Sequence, residues 1–265
     1  MGTGGAGGGG GAAELDFDAI PWSTGDAIGN GVAFKDTGNP RGENAFIGYA
    51  GYGIPLDAAE AWVRELYVAD LKARGVRWVY AVQGPADVYY SGLEIGNSKI
   101  AAALGAELDP TTDFVLVAAH SSGTYVAHEL LGQLESGLDP MGVTDGRVVY
   151  FDLDGGSGGL YPAAVARLRK AYFVAAMDPT VGTYSPNQPT MASAGVTYAS
   201  KGGYFELDVS GSGCNPGGVW CMHMTVITEH PHDPNVATGA LDYSDYGASA
   251  VVTRYITQKA SEAGL

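Results

Sequence analysis

The chain has 265 residues, 46% of them hydrophobic and 16% charged, which is enough apolar material for one large domain with its own core. Asp and Glu total 29 against 14 Lys and Arg, and the formal net charge of -15 repels phosphate backbones, so nucleic acid is not an expected partner. No apolar run approaches the roughly 20 residues of a membrane span.

The N-terminus reads MGTGGAGGGGGAAELDFDAI. Residues 1–13 cannot pack a core and are expected to form a flexible glycine-rich tether, with residues 14–265 forming a single domain. A starting methionine directly on such a tether points to an export signal that has been removed. The tether would suit a secreted or cell-surface protein, with a lipid anchor upstream of it as one arrangement. The low lysine content and the many Gly, Ser, Thr and Tyr residues point the same way.

Past the tether, strand and helix patterns alternate. Asn44 to Ile54 reads as a strand with a glycine-rich exit, and Pro55 to Gly75 as a helix with proline in its first turn. Ala59, Val63, Leu66, Ala69 and Ala73 recur at helical spacing and define its apolar face. VRWVYAVQG is a strand, and NSKIAAALGAEL a short helix with Asn97 or Ser98 as its cap. DFVLVAAH is a strand, followed at once by the helix SGTYVAHELLGQLESG with Val126, Leu130 and Leu134 on one side. GRVVYFDLDGG is a strand, LYPAAVARLRK a helix, AYFVAAMD and GGYFELDVS two more strands, and GASAVVTRYITQKASEAG a closing helix. The strands are continuously apolar. That predicts an α/β fold: a mostly parallel central sheet of about six to eight strands, flanked by helices on both faces. Ligands in such sheets bind at the C-terminal strand ends.

At one of those ends stands Ala119-His120-Ser121-Ser122-Gly123, between a buried strand and a helix. A tight turn there lifts its central serine above the sheet, and the residues two before and two after must be small because the two backbones pass close. Ala119 and Gly123 satisfy this for Ser121. Moving the frame to Ser122 puts the large His120 at a flanking position, so the frame selects Ser121 as nucleophile. The Ser122 amide then sits at the helix N-terminus, where it can stabilise an oxyanion. An ordinary Ser-Ser helix cap is the bland alternative.

This small-x-Ser-x-Gly elbow resembles that of the α/β-hydrolase superfamily, small esterases and lipases in particular, and the resemblance covers the whole chain after the tether. Alanine replaces the usual first glycine, as it does in some small lipases. The resemblance implies a serine hydrolase with a Ser-His-Asp triad. The short connections between strands leave no room for a large cap domain.

Of the five histidines, His120 is expected to point away from the site and to be structural, and His128 lies two turns down the helix at the wrong end. The superfamily order of nucleophile, acid, histidine selects His223, after the last strand, over His230 and His232, which read as a surface turn. For the acid, the superfamily's usual position nominates Asp178, and its minority position nominates Asp154 as the alternative, with Asp208 behind both. A second oxyanion donor is expected from the loop after the first core strand, among the amides of Tyr49, Ala50, Gly51 and Tyr52. Tyr49, Tyr52, Tyr89, Tyr90 and Trp220 are candidates to line a substrate pocket, although tyrosines are also common at domain surfaces.

Cys214 and Cys221 are separated by a turn-forming Asn-Pro-Gly-Gly and are expected to form a local disulfide that braces the segment carrying His223. A lone cysteine pair and a lone His-x-His make poor metal sites, and neither the N-terminal glycines nor LDGGSGG has the pattern of a phosphate or dinucleotide loop. No metal and no cofactor are expected. The resulting expectation is a monomeric hydrolase of small-molecule or polymeric carboxylic esters. A peptidase or amidase with the same triad, or a non-catalytic binding module on the same scaffold, are the alternatives.

Overall fold

The computed structural model describes residues 16–86, 94–135, 146–155, 167–178, 183–184, 187–208, 223–224 and 250–265. Its centre is an eight-stranded sheet made of β1 (Val32–Asp36), β2 (Asn44–Tyr49), β3 (Val76–Val82), β4 (Val115–His120), β5 (Val148–Leu153), β6 (Lys170–Asp178), β7 (Thr183–Tyr184) and β8 (Gly202–Asp208). The order runs β1-β3-β2-β4-β5-β6, and β6 pairs with β8 in parallel and with the two-residue β7 antiparallel. β2, β3, β4, β5, β6 and β8 are mutually parallel, and β1 runs antiparallel to β3 at the edge. This is the mostly parallel α/β sheet that the continuous apolar strands predict.

The helices are α1 (Leu56–Leu66), α2 (Glu94–Glu107), α3 (Gly123–Glu135), α4 (Gln188–Thr197) and α5 (Ala250–Glu262). Strand residues alternate between two cores. Phe46, Leu116, Ala118 and Phe151 pack with Trp62, Val63 and Leu66 of α1 and Ile256 and Ala260 of α5. Ile47, Val115, Val117 and Tyr150 pack with Ile100 and Leu104 of α2, Val126 and Leu130 of α3, and Met191 of α4. β4 is buried at every position because helices cover it on both sides.

Two local expectations are corrected. The helix after β2 leaves α geometry at Tyr67, where a π-helical turn spans Tyr67–Leu71. The wider turn rotates the apolar face, so Tyr67 and Leu71 are buried while Ala69 and Ala73 are exposed. α2 begins at Glu94, so Asn97 lies inside the helix instead of capping it. It is buried there, accepting from the Tyr49 hydroxyl (2.7 Å) and donating to the Val126 carbonyl (2.8 Å). The antiparallel edge strand β1 and the helix α4 carry no clear period of their own and are additions to the predicted elements.

No helix among the described residues is long and apolar enough to cross a membrane. The expected absence of a cap falls on connections, 209–222 and 225–249 among them, outside the described residues.

Candidate active site

The site is built where β4 and β5 end. Ser121 follows β4 directly and has φ 52°, a left-handed backbone that a non-glycine residue adopts at a cost. Several contacts hold it there. Its amide donates to the Leu153 carbonyl (3.1 Å), and its own carbonyl accepts from the Thr124 amide (3.1 Å) and the Thr124 hydroxyl (2.7 Å). The hinge is strained and braced by its neighbours, as a strand-to-helix elbow requires. Ser121 is half-buried, whereas Ser122 is buried.

The small residues around it have physical reasons. A Cβ on Gly123 would lie 2.4 Å from the Ala50 carbonyl oxygen and 2.8 Å from that of Tyr49, so only glycine lets α3 start against the exit of β2. A Cβ on Gly51 would lie 2.8 Å from His120 Nδ1 and 3.0 Å from Ser121 Cβ, which puts the β2 exit loop directly beside the serine.

Within that loop the four oxyanion candidates separate. The Ala50 amide donates to the Val82 carbonyl (3.0 Å), and Tyr49 sits inside the strand ladder with its ring buried and its hydroxyl on Asn97. Both are corrected as oxyanion donors, and Tyr49 also as a pocket residue. The amides of Gly51 and Tyr52 have no hydrogen-bond partner among the described residues. With the Ser122 amide, one of the N–H groups a helix start leaves unsatisfied, they are the remaining oxyanion candidates.

His223 is buried, and its Nδ1 lies 2.5 Å from Asp154 Oδ2. The preference for Asp178 as the histidine's partner is therefore corrected. Asp178 ends β6, one strand further along, where it pairs with Thr183 of β7. Asp208 ends β8 opposite Met177. Asp154 also has a left-handed backbone, φ 52°. Its amide donates to the Val174 carbonyl (2.7 Å), its carbonyl accepts from Asn187 Nδ2 (2.6 Å), and the following Gly155 amide donates to Asp152 Oδ1 (2.9 Å).

His120 does not point away from the site. It continues the Leu116–Ala118 face of β4, and its ring packs against that of His223 with centroids 4.6 Å apart. His120 Nε2 lies 3.2 Å from the His223 carbonyl oxygen, so this nitrogen carries the proton and donates. Nδ1 has no hydrogen-bond partner among the described residues. Burial first, and then the neighbouring His223, hold the His120 imidazole well below the usual histidine range, and it stays neutral.

A second buried polar group lies behind Asp154. Burial is the main cause that pushes the Asp152 carboxyl up to about 8. The Tyr150 hydroxyl is 3.4 Å from Asp152 Oδ2 and 2.9 Å from His128 Nε2. Burial also pushes His128 down to about 3. Sequence spacing did not single out Asp152. The only signal was its place inside an apolar strand, two residues before Asp154.

Tyr89, Tyr90, Trp220 and the Cys214–Cys221 pair lie outside the described residues, as do His230 and His232. Among the described residues no group of three or more His, Cys, Asp or Glu side chains could hold a metal ion. No protein-family model matches the chain, and no curated protein matches its sequence.

Proposed function

We propose that this chain is a serine hydrolase of the α/β-hydrolase type that cleaves carboxylic esters, with Ser121 as nucleophile, His223 as base and Asp154 as the acid that orients it. The observation that carries this reading is the buried His223–Asp154 pair, packed against the residue next to a serine held at φ 52° on a strand-to-helix hinge. A serine hydroxyl is a weak nucleophile until a base takes its proton. In this scheme His223 Nε2 removes the Ser121 Oγ proton as Oγ attacks the ester carbonyl. The tetrahedral oxyanion is held by the Ser122 amide with Gly51 or Tyr52. His223 then returns the proton to the departing alcohol, leaving an acyl-enzyme. Water attacks that ester by the same route in reverse, releasing the carboxylic acid and restoring Ser121. Asp154 keeps the proton on Nδ1 and stabilises the imidazolium that forms in each step.

The low lysine content and the disulfide expected of Cys214 and Cys221 support an exported enzyme. The test is hydrolysis of p-nitrophenyl esters of rising chain length by wild type and Ser121→Ala, with fluorophosphonate labelling of both. The variant should lose activity by about 10^5–10^6-fold and take up no label. Unchanged hydrolysis in Ser121→Ala would overturn the mechanism.

A further inference from the structure

We propose that Asp152 is the positioning residue of the acid turn: by accepting the Gly155 N–H, it fixes the left-handed Asp154 backbone and so the direction from which Asp154 Oδ2 meets His223. The inference rests on the triad reading and adds a residue that the reading does not need.

The geometry is specific. Asp152 is the next-to-last residue of β5, fully buried, with Ala119 and Phe173 as its strand neighbours, so no cation flanks it in the sheet. Its Oδ1 accepts the Gly155 amide at 2.9 Å and closes a tight turn over Leu153 and Asp154. A left-handed non-glycine residue such as Asp154 persists only when its surroundings over-determine it. Val174, Asn187 and Asp152 supply three separate restraints, one on each side of the Asp154 peptide units and one on the residue after it. Of the three, only Asp152 comes from the strand that carries Asp154 itself.

Its protonation state fits the role. The titratable groups facing Asp152 are Tyr150 on the same strand, Asp154 beyond it, and His128 from α3, with Tyr49 acting on Tyr150. His128 is neutral, Tyr150 is held above its ordinary range, and Asp154 adds negative charge. The Gly155 N–H and the Tyr150 hydroxyl favour the Asp152 carboxylate, but burial outweighs them and pushes the carboxyl up to about 8, so Asp152 is mostly a neutral hydrogen-bonding group near neutrality. Asparagine would keep the Oδ1 acceptor and the neutrality; alanine would keep neither contact.

The experiment compares wild type, Asp152→Asn, Asp152→Ala and Asp154→Asn between pH 6 and 9. It measures kcat/KM on a p-nitrophenyl ester, the rate of fluorophosphonate labelling, and the low-field NMR resonance of the His223 Nδ1 proton. Loss of that resonance in Asp154→Asn assigns it. Asp152→Asn should stay within about threefold of wild type at pH 7, because it keeps the Oδ1 acceptor for the Gly155 N–H. Asp152→Ala should fall by about 10–100-fold, with the resonance displaced or lost. Full activity and an unmoved resonance in Asp152→Ala would overturn the proposal. So would Asp152→Asn that folds but is as impaired as alanine, because the anion would then be the active form. If Asp152→Ala does not fold, Asp152→Asn decides: near-wild-type kcat/KM with an unmoved resonance supports the role, and an impaired enzyme with a displaced resonance overturns it. Failure of the triad reading looks different, namely ester hydrolysis that survives Ser121→Ala while the His223 resonance still depends on Asp152.

Discussion

The Nδ1 of His223 lies 2.5 Å from Oδ2 of Asp154, and the two side chains are 3% and 0% exposed. A pair so close and so fully removed from water fixes the imidazole tautomer, because a carboxylate can only accept and Nδ1 must then donate. Asp154→Asn would preserve the shape of the site. It would also let the amide NH2 face Nδ1 and favour the wrong tautomer, lowering kcat by about 10^3–10^4-fold with little change in KM. Asp178→Asn should retain activity within a few-fold. Steady-state kinetics on one ester decide the matter; equal losses in the two variants would refute the assignment of the acid.

His120 offers a second test close to the nucleophile. Its Nε2–H donates to the His223 carbonyl, and its ring supports the face of the His223 imidazole. His120→Phe keeps a ring but loses the donor, and should reduce kcat about tenfold with a smaller change in KM. His120→Gln can restore the donor to the carbonyl and should recover part of the loss. Since His120 is neutral in the fold, neither variant should move the acidic pKa of the kcat/KM profile by removing a charge. A profile whose acidic limb disappears in His120→Gln would identify His120, not His223, as the titrating base.

The sheet was legible because its strands are buried on both faces and read as unbroken apolar runs, as VLVAAH does before Ser121. Ser121 was legible because close backbone approach at the elbow demands small neighbours, a requirement that leaves a sequence trace in Ala119 and Gly123. The acid was not. Asp154 and Asp178 both follow apolar strands and both precede turn residues, and only the path of the chain around His223 separates them. The direction of His120 was misjudged for a related reason: strand alternation says which face a side chain takes, but not which later segment arrives on that face. The π turn at Tyr67 also leaves no periodic signal, since one added residue per turn only shifts the stripe.

Stability should depend on pH in two opposed ways. His128 is pushed down to about 3, while an unfolded histidine binds its proton near 6.5. Between about pH 6.5 and 3 the unfolded chain holds one more proton than the fold, so stability falls as pH drops through that window. Asp152 acts in reverse. With its pKa raised to about 8, the fold holds one more proton than the unfolded chain between about pH 4 and 8, so its contribution is full below that window and lost as pH rises through it. Thermal melts of wild type, His128→Gln and Asp152→Asn from pH 4 to 9 read both effects. His128→Gln should gain on wild type as the solution is acidified, and Asp152→Asn should gain as it is made alkaline. Melting curves that stay parallel across the range would count against both protonation states.

Under the proposed mechanism, Gly123 would connect stability to catalysis. A methyl group there would meet the Ala50 carbonyl oxygen at 2.4 Å and the Tyr49 carbonyl oxygen at 2.8 Å, and both are backbone atoms of a central strand end that cannot swing aside. Gly123→Ala must therefore push α3 away from the β2 exit. The overpacking should cost about 1–3 kcal/mol, lowering Tm by about 2–4 °C for each kcal/mol in a domain of this size. The same displacement separates the Ser122 amide, on the α3 side, from those of Gly51 and Tyr52, on the β2 side. Oxyanion donors act only on charge that develops in the transition state, so the loss should fall on kcat and leave KM nearly unchanged. A variant with lower Tm but wild-type kcat at 25 °C would show that the two sets of donors are not used together. Serine at this position adds a hydroxyl to the same clash and should be at least as damaging as alanine, which separates crowding from any loss of glycine flexibility.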